Sequence, residues 1–338
     1  MRAGSYVGKR LALAAITLIG VIIAVFVMTR VLPGNPAAVK AGTHATPEAL
    51  RALEKEMGLD RPLPEQLGRY LVRVLQGDLG TSTRTGHPVR EDLLQRLPAT
   101  IELSLYSLLF ALLLGVPVGA LAAVRRDQWV DRLAQAISLL GASSPIFWLG
   151  IVLIFVFYVK LGIAPGPVGR INTHIQPPST ITGLYTIDSL LTLNWTALRS
   201  SAAHLVLPVI TLGFVIMAPL IKMSRSAMAA VLETDYIQAA YSFGLPEWQI
   251  IWRDALRNSL LSLLTVVGIV LGYLMAGNVI VETIFAWPGI GLYAWNGLTG
   301  NDYDGIQGFV LFVGFMYVVI NLVVDLLYMV IDPRVRLA

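Results

Sequence analysis

The sequence predicts an all-α, polytopic membrane protein with six transmembrane helices. It also predicts an extended outer loop after the first helix and a long helical loop between the fourth and fifth. Three observations carry this reading. Of 338 residues, 56% are hydrophobic and only 14% are charged, against about 25% charged in ordinary soluble domains. The mean hydropathy is +0.69, and no single soluble core grows large enough to hide so much apolar side chain. Finally, six stretches approach the roughly 20 apolar helical residues that cross a hydrocarbon core of about 30 Å.

The spans fall at about 11–31, 101–124, 133–159, 205–221, 260–281 and 309–331. Arg2, Lys9 and Arg10 precede the first, a flank that also suits a cleaved signal peptide. Its apolar run of about 19 residues is longer than the roughly 7–15 of such signals, which favours a retained helix. The fourth span holds Pro208 and Pro219 and reads as the least regular. Proline is tolerated inside the bilayer where neighbouring helices re-satisfy the freed carbonyls.

Orientation follows the basic residues near span ends. Arg2, Lys9 and Arg10, then Arg125, Arg126 and Arg132, then Lys222, Arg225, Arg253 and Arg257, and lastly Arg334 and Arg336 share one side if both termini are cytoplasmic. The other side carries its bases mainly in the long 32–98 segment, and loops that long largely escape the rule. The chain thus divides into a cytoplasmic amino terminus with the first span (1–31), an outer loop (32–98), and a core of five spans (99–338).

The outer loop carries its own helix signal. Thr46-Pro47-Glu48 reads as N-cap, first-turn proline and acid at the positive helix end. Leu50, Leu53 and Met57 recur at helical spacing, and Gly58 supplies the stop. Such a helix suits a cap on the outer mouth or a position on the membrane surface. The second outer segment, 160–203, is rich in Pro, Gly, Ser and Thr and reads as an ordered loop with short turns.

The loop at about 222–258 is the most informative stretch. It is helical on both sides of Gly244-Leu245-Pro246, where a glycine free to take positive φ and a helix-starting proline make a sharp elbow. Glu233-Thr234-Asp235-Tyr236 and Gln238-Ala239-Ala240 precede it, and the small alanines admit close approach by another protein surface.

Several chemistries find no support. The pI near 9.3 reflects interface anchors rather than a nucleic-acid surface. The chain has no cysteine, hence no disulfide, Cys metal site or thiol nucleophile. No phosphate loop of the Gly-x-x-x-x-Gly-Lys-Ser/Thr kind occurs. His44, His87, His174 and His204 lack close metal-ligand spacing. Ser143-Ser144-Pro145 has no identifiable partner base for a membrane-embedded hydrolase. Glu282 and Asp325 lie near the ends of the last two spans, where ionisable groups are functional candidates by default. Both are placed close enough to an interface to be solvated, which favours hydrogen-bonded anchors or caps. Gly115-x-x-x-Gly119 and Gly268-x-x-x-Gly272 read as packing seams.

The elbow resembles the permease subunits of ABC importers for dipeptides, oligopeptides and related solutes. Their loop carries Glu-Ala-Ala, three residues, then Gly; this chain has Gln238-Ala239-Ala240-Tyr241-Ser242-Phe243-Gly244. Gly77-Asp78-Leu79-Gly80 with Ser82, Leu97-Pro98-Ala99-Thr100 and His204-Leu205-Val206-Leu207-Pro208 are similar to further family motifs. So are Val281-Glu282-Thr283-Ile284-Phe285, Trp287-Pro288-Gly289 with Gly291, Asp325-Leu326-Leu327-Tyr328 and Asp332-Pro333-Arg334. The ordered set runs from about Pro33 to the end. It departs from the family where Tyr241 and Phe243 replace basic residues and Asp254 replaces a histidine.

The resemblance, of the dipeptide permease B type, implies an inner-membrane permease of a bacterium, with the loop helix as a coupling helix. It also implies two separate ATP-binding subunits carrying ATP and Mg, with no cofactor on this chain. A second homologous permease, more usually different than identical, shares the path. A periplasmic or lipid-anchored binding protein delivers peptide. Ala239, Ala240 and Gly244 would touch the ATPase, flanked by Glu233, Asp235 and Tyr236; Glu282, Pro288, Gly289 and Asp325 belong to family motifs without an assigned role. The same family carries nickel, glutathione, opines and some sugars. An ion-gradient-driven secondary transporter is the competing reading, but neither paired midplane charges nor internal repeats are clear.

Overall fold

The computed structural model describes residues 3–31, 36–41, 45–56 and 58–331. Arg2, Pro33, His44, Met57, Arg334, Arg336 and the Asp332-Pro333-Arg334 motif lie outside these residues. Outside connecting loops, of which 161–184 is the longest, the described chain is helical, and no strand occurs among the described residues.

In order, the helices are α1 (Ala3–Val31), α2 (Pro36–Ala41), α3 (Pro47–Glu56), α4 (Leu63–Leu75), α5 (Val89–Val124) and α6 (Trp129–Ser143). α7 (Ile146–Leu153) continues with π-helical hydrogen bonding to Lys160. Then come α8 (Tyr185–Leu191), α9 (Trp195–Leu232), α10 (Asp235–Ser242) and α11 (Glu247–Gln249). The last runs through a π-helical stretch into α12 (Leu256–Gly277), followed by α13 (Val279–Ile284), α14 (Ile290–Thr299) and α15 (Tyr303–Ile331).

Four helices, α1, α5, α9 and α15, are each long and apolar enough to cross a bilayer. Two further spans arise only if each of two bent helix pairs counts as one. The expected third span is such a pair: α6 and α7 meet at 103° rather than forming one helix over 133–159. The cause is local. A residue before proline is pushed out of the α region, and Ser144 is extended at φ −76°, ψ 122° before Pro145 starts α7. The expected fifth span is likewise shorter, since α12 stops at Gly277.

The fourth span differs in the opposite sense. Despite Pro208 and Pro219, α9 is one unbroken helix of 38 residues. It lies between α5 and α6, so packing holds its course across both prolines. The predicted seam is present: a Cβ on Gly119 would overlap Ser224 and the Ile221 carbonyl, and one on Gly115 would overlap Met217. Ser224 donates to the Val116 carbonyl across this contact (2.8 Å). Gly268 and Gly272 give the same closeness between α12 and Val324 and Tyr317 of α15.

The main core gathers Leu103, Leu212, Leu220, Leu274 and Trp287 from α5, α9, α12 and the segment after α13. A second core unites α1, α4 and α15 through Ile22, Val25, Phe26, Tyr70 and Leu311. The helix predicted after Thr46 is α3. Leu59 donates to the Glu54 carbonyl (2.8 Å) and Gly58 to Lys55 (3.1 Å), with Gly58 at φ 66°, the glycine-terminated stop that the sequence suggested.

Candidate functional site

The elbow is made by a helix stop followed at once by a helix start. At the end of α10, Leu245 N–H donates to the Ala240 carbonyl (3.2 Å) and Gly244 N–H to Tyr241 (3.0 Å). This pair of bonds closes a helix only if the intervening residue is left-handed, and Gly244 has φ 72°. Nothing lies within 4 Å of where its Cβ would be, so glycine is required by backbone conformation rather than by space. Pro246 then caps α11, accepting from Gln249 (3.0 Å) and Ile250 (3.2 Å).

One face of this elbow is fixed to the helical body. Ile237, Ile250, Ile251 and Met228 form its buried core. Asn258 donates to the Tyr236 hydroxyl (2.8 Å), and Arg126 pairs with Glu233 at 3.3 Å. The other face is bare: Phe243 is 84% exposed and Trp248 66%. Of the residues singled out from sequence, Glu233, Asp235, Tyr236, Ala239 and Gly244 are exposed, while Ala240 is half-buried against the elbow's own core. Between Glu233 and Trp252 there are three acids, Glu233, Asp235 and Glu247, and no base.

A second constellation lies where α13, α14 and α5 meet. Glu282 was expected to be solvated; it is fully buried, because the chain after α13 folds back and sets the start of α14 over it. Its Oε1 accepts from the Thr100 hydroxyl (2.6 Å) and its Oε2 from Leu292 N–H (2.9 Å). Leu292 is the third residue of α14, so Glu282 serves as a remote cap where the helix dipole favours a carboxylate. Thr100 accepts from Ile290 N–H (2.9 Å), and Trp287 Nε1 donates to the Ala99 carbonyl (2.8 Å). Gly289 passes so close that a Cβ there would overlap the Glu282 carboxyl group. Pro288 is exposed. The constellation is a clasp whose hydrogen bonds join α5, α13 and α14.

Residues 115–337 match the family described as the binding-protein-dependent transport system inner membrane component, and residues 5–104 match its amino-terminal companion family. The chain belongs to this family of transport permeases. A probable D,D-dipeptide transport system permease protein, DdpB of Escherichia coli K12, is 43% identical over 94% of this chain and 93% of its own length. The dipeptide transport system permease protein DppB of Alkalihalophilus pseudofirmus is 41% identical over 98% and 99%. A solved chain of the inward-facing MetNI methionine ABC transporter shares the fold, with a TM-score of 0.52 and 20% identity over 71% of this chain and 96% of that one.

The permease holds further charges in its helical body, half-buried at Asp325 and buried at Asp131, Glu102 and Asp188. Asp325 pairs with Arg10 at 2.9 Å, joining α15 to α1. Asp131 receives Arg225 Nε (2.6 Å) and Nη2 (2.8 Å), with Asp127 N–H and Gln135 Nε2 completing its shell. Sequence reading missed Glu102, which accepts from Arg170 Nη2 (2.6 Å) and from Thr186 N–H (2.8 Å) and hydroxyl (2.7 Å). Arg170 also stacks on Tyr185, 3.7 Å from the ring centroid. The available signal was that Glu102 is the one charged residue in the 101–124 run. In the 160–203 segment, Asp188 accepts from the N–H groups of Ile181, Thr182 and Gly183 and from the Thr182 hydroxyl. Burial pushes this carboxyl upward, but those hydrogen bonds outweigh it and hold it below its usual value. His204 lies in α9 with Nδ1 2.8 Å from the Ser200 carbonyl, and no metal-holding cluster occurs among the described residues.

Proposed function

We propose that this permease is one half of the membrane channel of an ATP-driven importer for dipeptides or short oligopeptides in a bacterial inner membrane. The observation that carries the substrate class is the near-complete match to relatives named for dipeptide transport. A second homologous permease, usually a different one in such systems, completes the path. Two ATP-binding subunits carry Mg and ATP, and a substrate-binding protein delivers the peptide.

The elbow is the docking site for one ATPase. Ala239 and Gly244 lie on its exposed surface with Glu233, Asp235 and Tyr236 beside them, and Ala240 supports it from within. ATP-driven closure then moves a bistable helical body between two access states. Both termini and the 222–258 loop are cytoplasmic. Support for this comes from the basic residues Arg125, Arg126, Arg132, Lys222, Arg225, Arg253 and Arg257, which cluster in the connections on this side. The six-span count treats α6–α7 and the α11–α12 helix as one span each, with 32–98 outside and 99–338 as the core.

The test is reconstitution. Vesicles holding the transporter purified from its native membrane should take up labelled dipeptide only with internal ATP and external binding protein. Uptake that follows an ion gradient without ATP would install the secondary-transporter reading instead. ATP-dependent uptake of nickel or glutathione, but not peptide, would keep the mechanism and change the cargo.

A further inference from the structure

Between α6 and α9, beside the Asp131–Arg225 pair, the surface opens into a cavity of about 330 Å³. Its walls are Gln135, Ala136 and Leu139 on α6 and Ile221, Lys222 and Arg225 on α9. The lining separates by depth. Residues 205–221 of α9 carry no charge; at 1.5 Å per residue they span about 26 Å, close to the thickness of a hydrocarbon core. Lys222 is the first charge after that run and so stands at headgroup level. Ile221 and Leu139 lie on the hydrocarbon side, and Leu139 is 65% exposed. Trp129, at the start of α6 and 72% exposed, marks the same interface in the manner of an aromatic belt.

The rim is cationic and preorganised. Arg225 is held by two bonds to Asp131, which leaves Nη1 without a hydrogen bond among the described residues. Lys222, one turn before it, is exposed and makes no ion pair among the described residues. Arg132, also exposed, lies one turn before Gln135 on α6. The nearest carboxylate, Asp131, is consumed by Arg225, Gln135 and the Asp127 N–H. Positive groups above an apolar channel between two membrane helices match a phosphodiester with acyl chains.

We propose that this groove is a binding site for an acidic phospholipid. The phosphate sits against Lys222 and Arg225, and an acyl chain lies along the exposed Ala136 and Leu139 of α6. A soluble anion would satisfy the rim but gain nothing from the apolar floor, and a zwitterionic headgroup would bring its own cation against Lys222. The bound lipid would fill the seam between α6 and α9 beside the buried ion pair.

The test is native mass spectrometry of the permease purified from its membrane with its bound partners, titrated with phosphatidylglycerol or phosphatidylcholine. Phosphatidylglycerol should bind preferentially. Lys222→Ala should weaken it about fivefold, the worth of one basic residue near a membrane surface. Lys222→Arg should preserve it, Leu139→Trp should block it sterically, and Lys160→Ala should change nothing. A photo-crosslinker at position 136 should capture lipid. Three results would overturn the proposal: equal retention by Lys222→Ala and the unmodified chain, displacement by glycerol 3-phosphate at matched concentration, or cross-links from position 136 to a companion protein chain.

Discussion

Gly289→Ala should be among the most damaging single-methyl changes in this permease, through the Glu282 clasp. Gly289 has φ −92° and ψ −175°, a backbone that any residue adopts, so alanine brings no conformational strain. What it brings is a Cβ inside the Glu282 carboxyl group. The carboxyl must move, and with it go the bonds from Thr100 and Leu292. Each hydrogen bond to such a group is worth about 1 to 3 kcal/mol when its partner is left buried and unsatisfied, so the loss is about 2 to 6 kcal/mol. That is a large share of an overall stability of roughly 5–15 kcal/mol. The assay is thermal unfolding in mild detergent, read by the monodisperse fraction, for Gly289→Ala, Glu282→Ala and the double variant. If the clash acts through the carboxyl group, Gly289→Ala should cost under about 1 kcal/mol once Glu282 is alanine, a strong departure from additivity. Full stability of Gly289→Ala, or additive single effects, would refute the reasoning.

Other consequences follow from the same geometry. Asp131→Ala should destabilise by about 1.5–3 kcal/mol by removing the acceptor that holds the half-buried Arg225, and Asp131→Ala with Arg225→Met should recover part of it in the same unfolding assay. Asp188 has a folded-state pKa below its usual value. Its stabilisation is therefore present above the unfolded pKa of about 4 and is lost as pH falls through the folded value. The stability gap between the unmodified chain and Asp188→Asn should accordingly close below about pH 4. Gly244→Val should cost at least 1–2 kcal/mol locally, from a β-branched residue forced to φ 72°, and should abolish ATPase retention in a pull-down. Phe243→Ala should reduce that retention about tenfold while leaving the unfolding temperature of the chain unchanged, because Phe243 is 84% exposed.

The elements most legible in the sequence were those whose cause is local. The stop at Gly58 and the elbow at Gly244-Leu245-Pro246 need only backbone rules, and both stand where glycine and proline put them. Prolines misled where their effect depends on surroundings. Pro208 and Pro219 were read as irregular, yet α9 passes through both because α5 and α6 flank it. Pro145 was passed over, and it breaks the third span because Ser144 before it is extended. α4 went unread, although it buries Tyr70 against Phe26 of α1, ring centroids 5.6 Å apart. Its partner is distant in sequence, so periodicity alone gave no boundary. Glu282 was placed in solvent because hydropathy has no way to register a chain that folds back. Two residues of the neighbouring family motif, Gly289 and Gly291, lie directly against its carboxyl group.

In the proposed docking role, the elbow would push on a helical body tied together by its acids. Glu233 and Thr234 alone separate the 38-residue α9 from α10, so displacement at the elbow enters α9 almost directly. Asp131–Arg225 ties α6 to α9 near that end, and the Gly115–Gly119 seam leaves α5 and α9 no room to slide, whereas the exposed Arg126–Glu233 pair adds little. Farther along α5, Thr100 grips Glu282 and through it α13 and α14, while Glu102 holds the 170–186 segment. A close-packed body responds to a push by rotating between arrangements rather than by deforming. In that role the bare aromatic face at Phe243 and Trp248 would drive a lever whose far end is the clasp at Glu282.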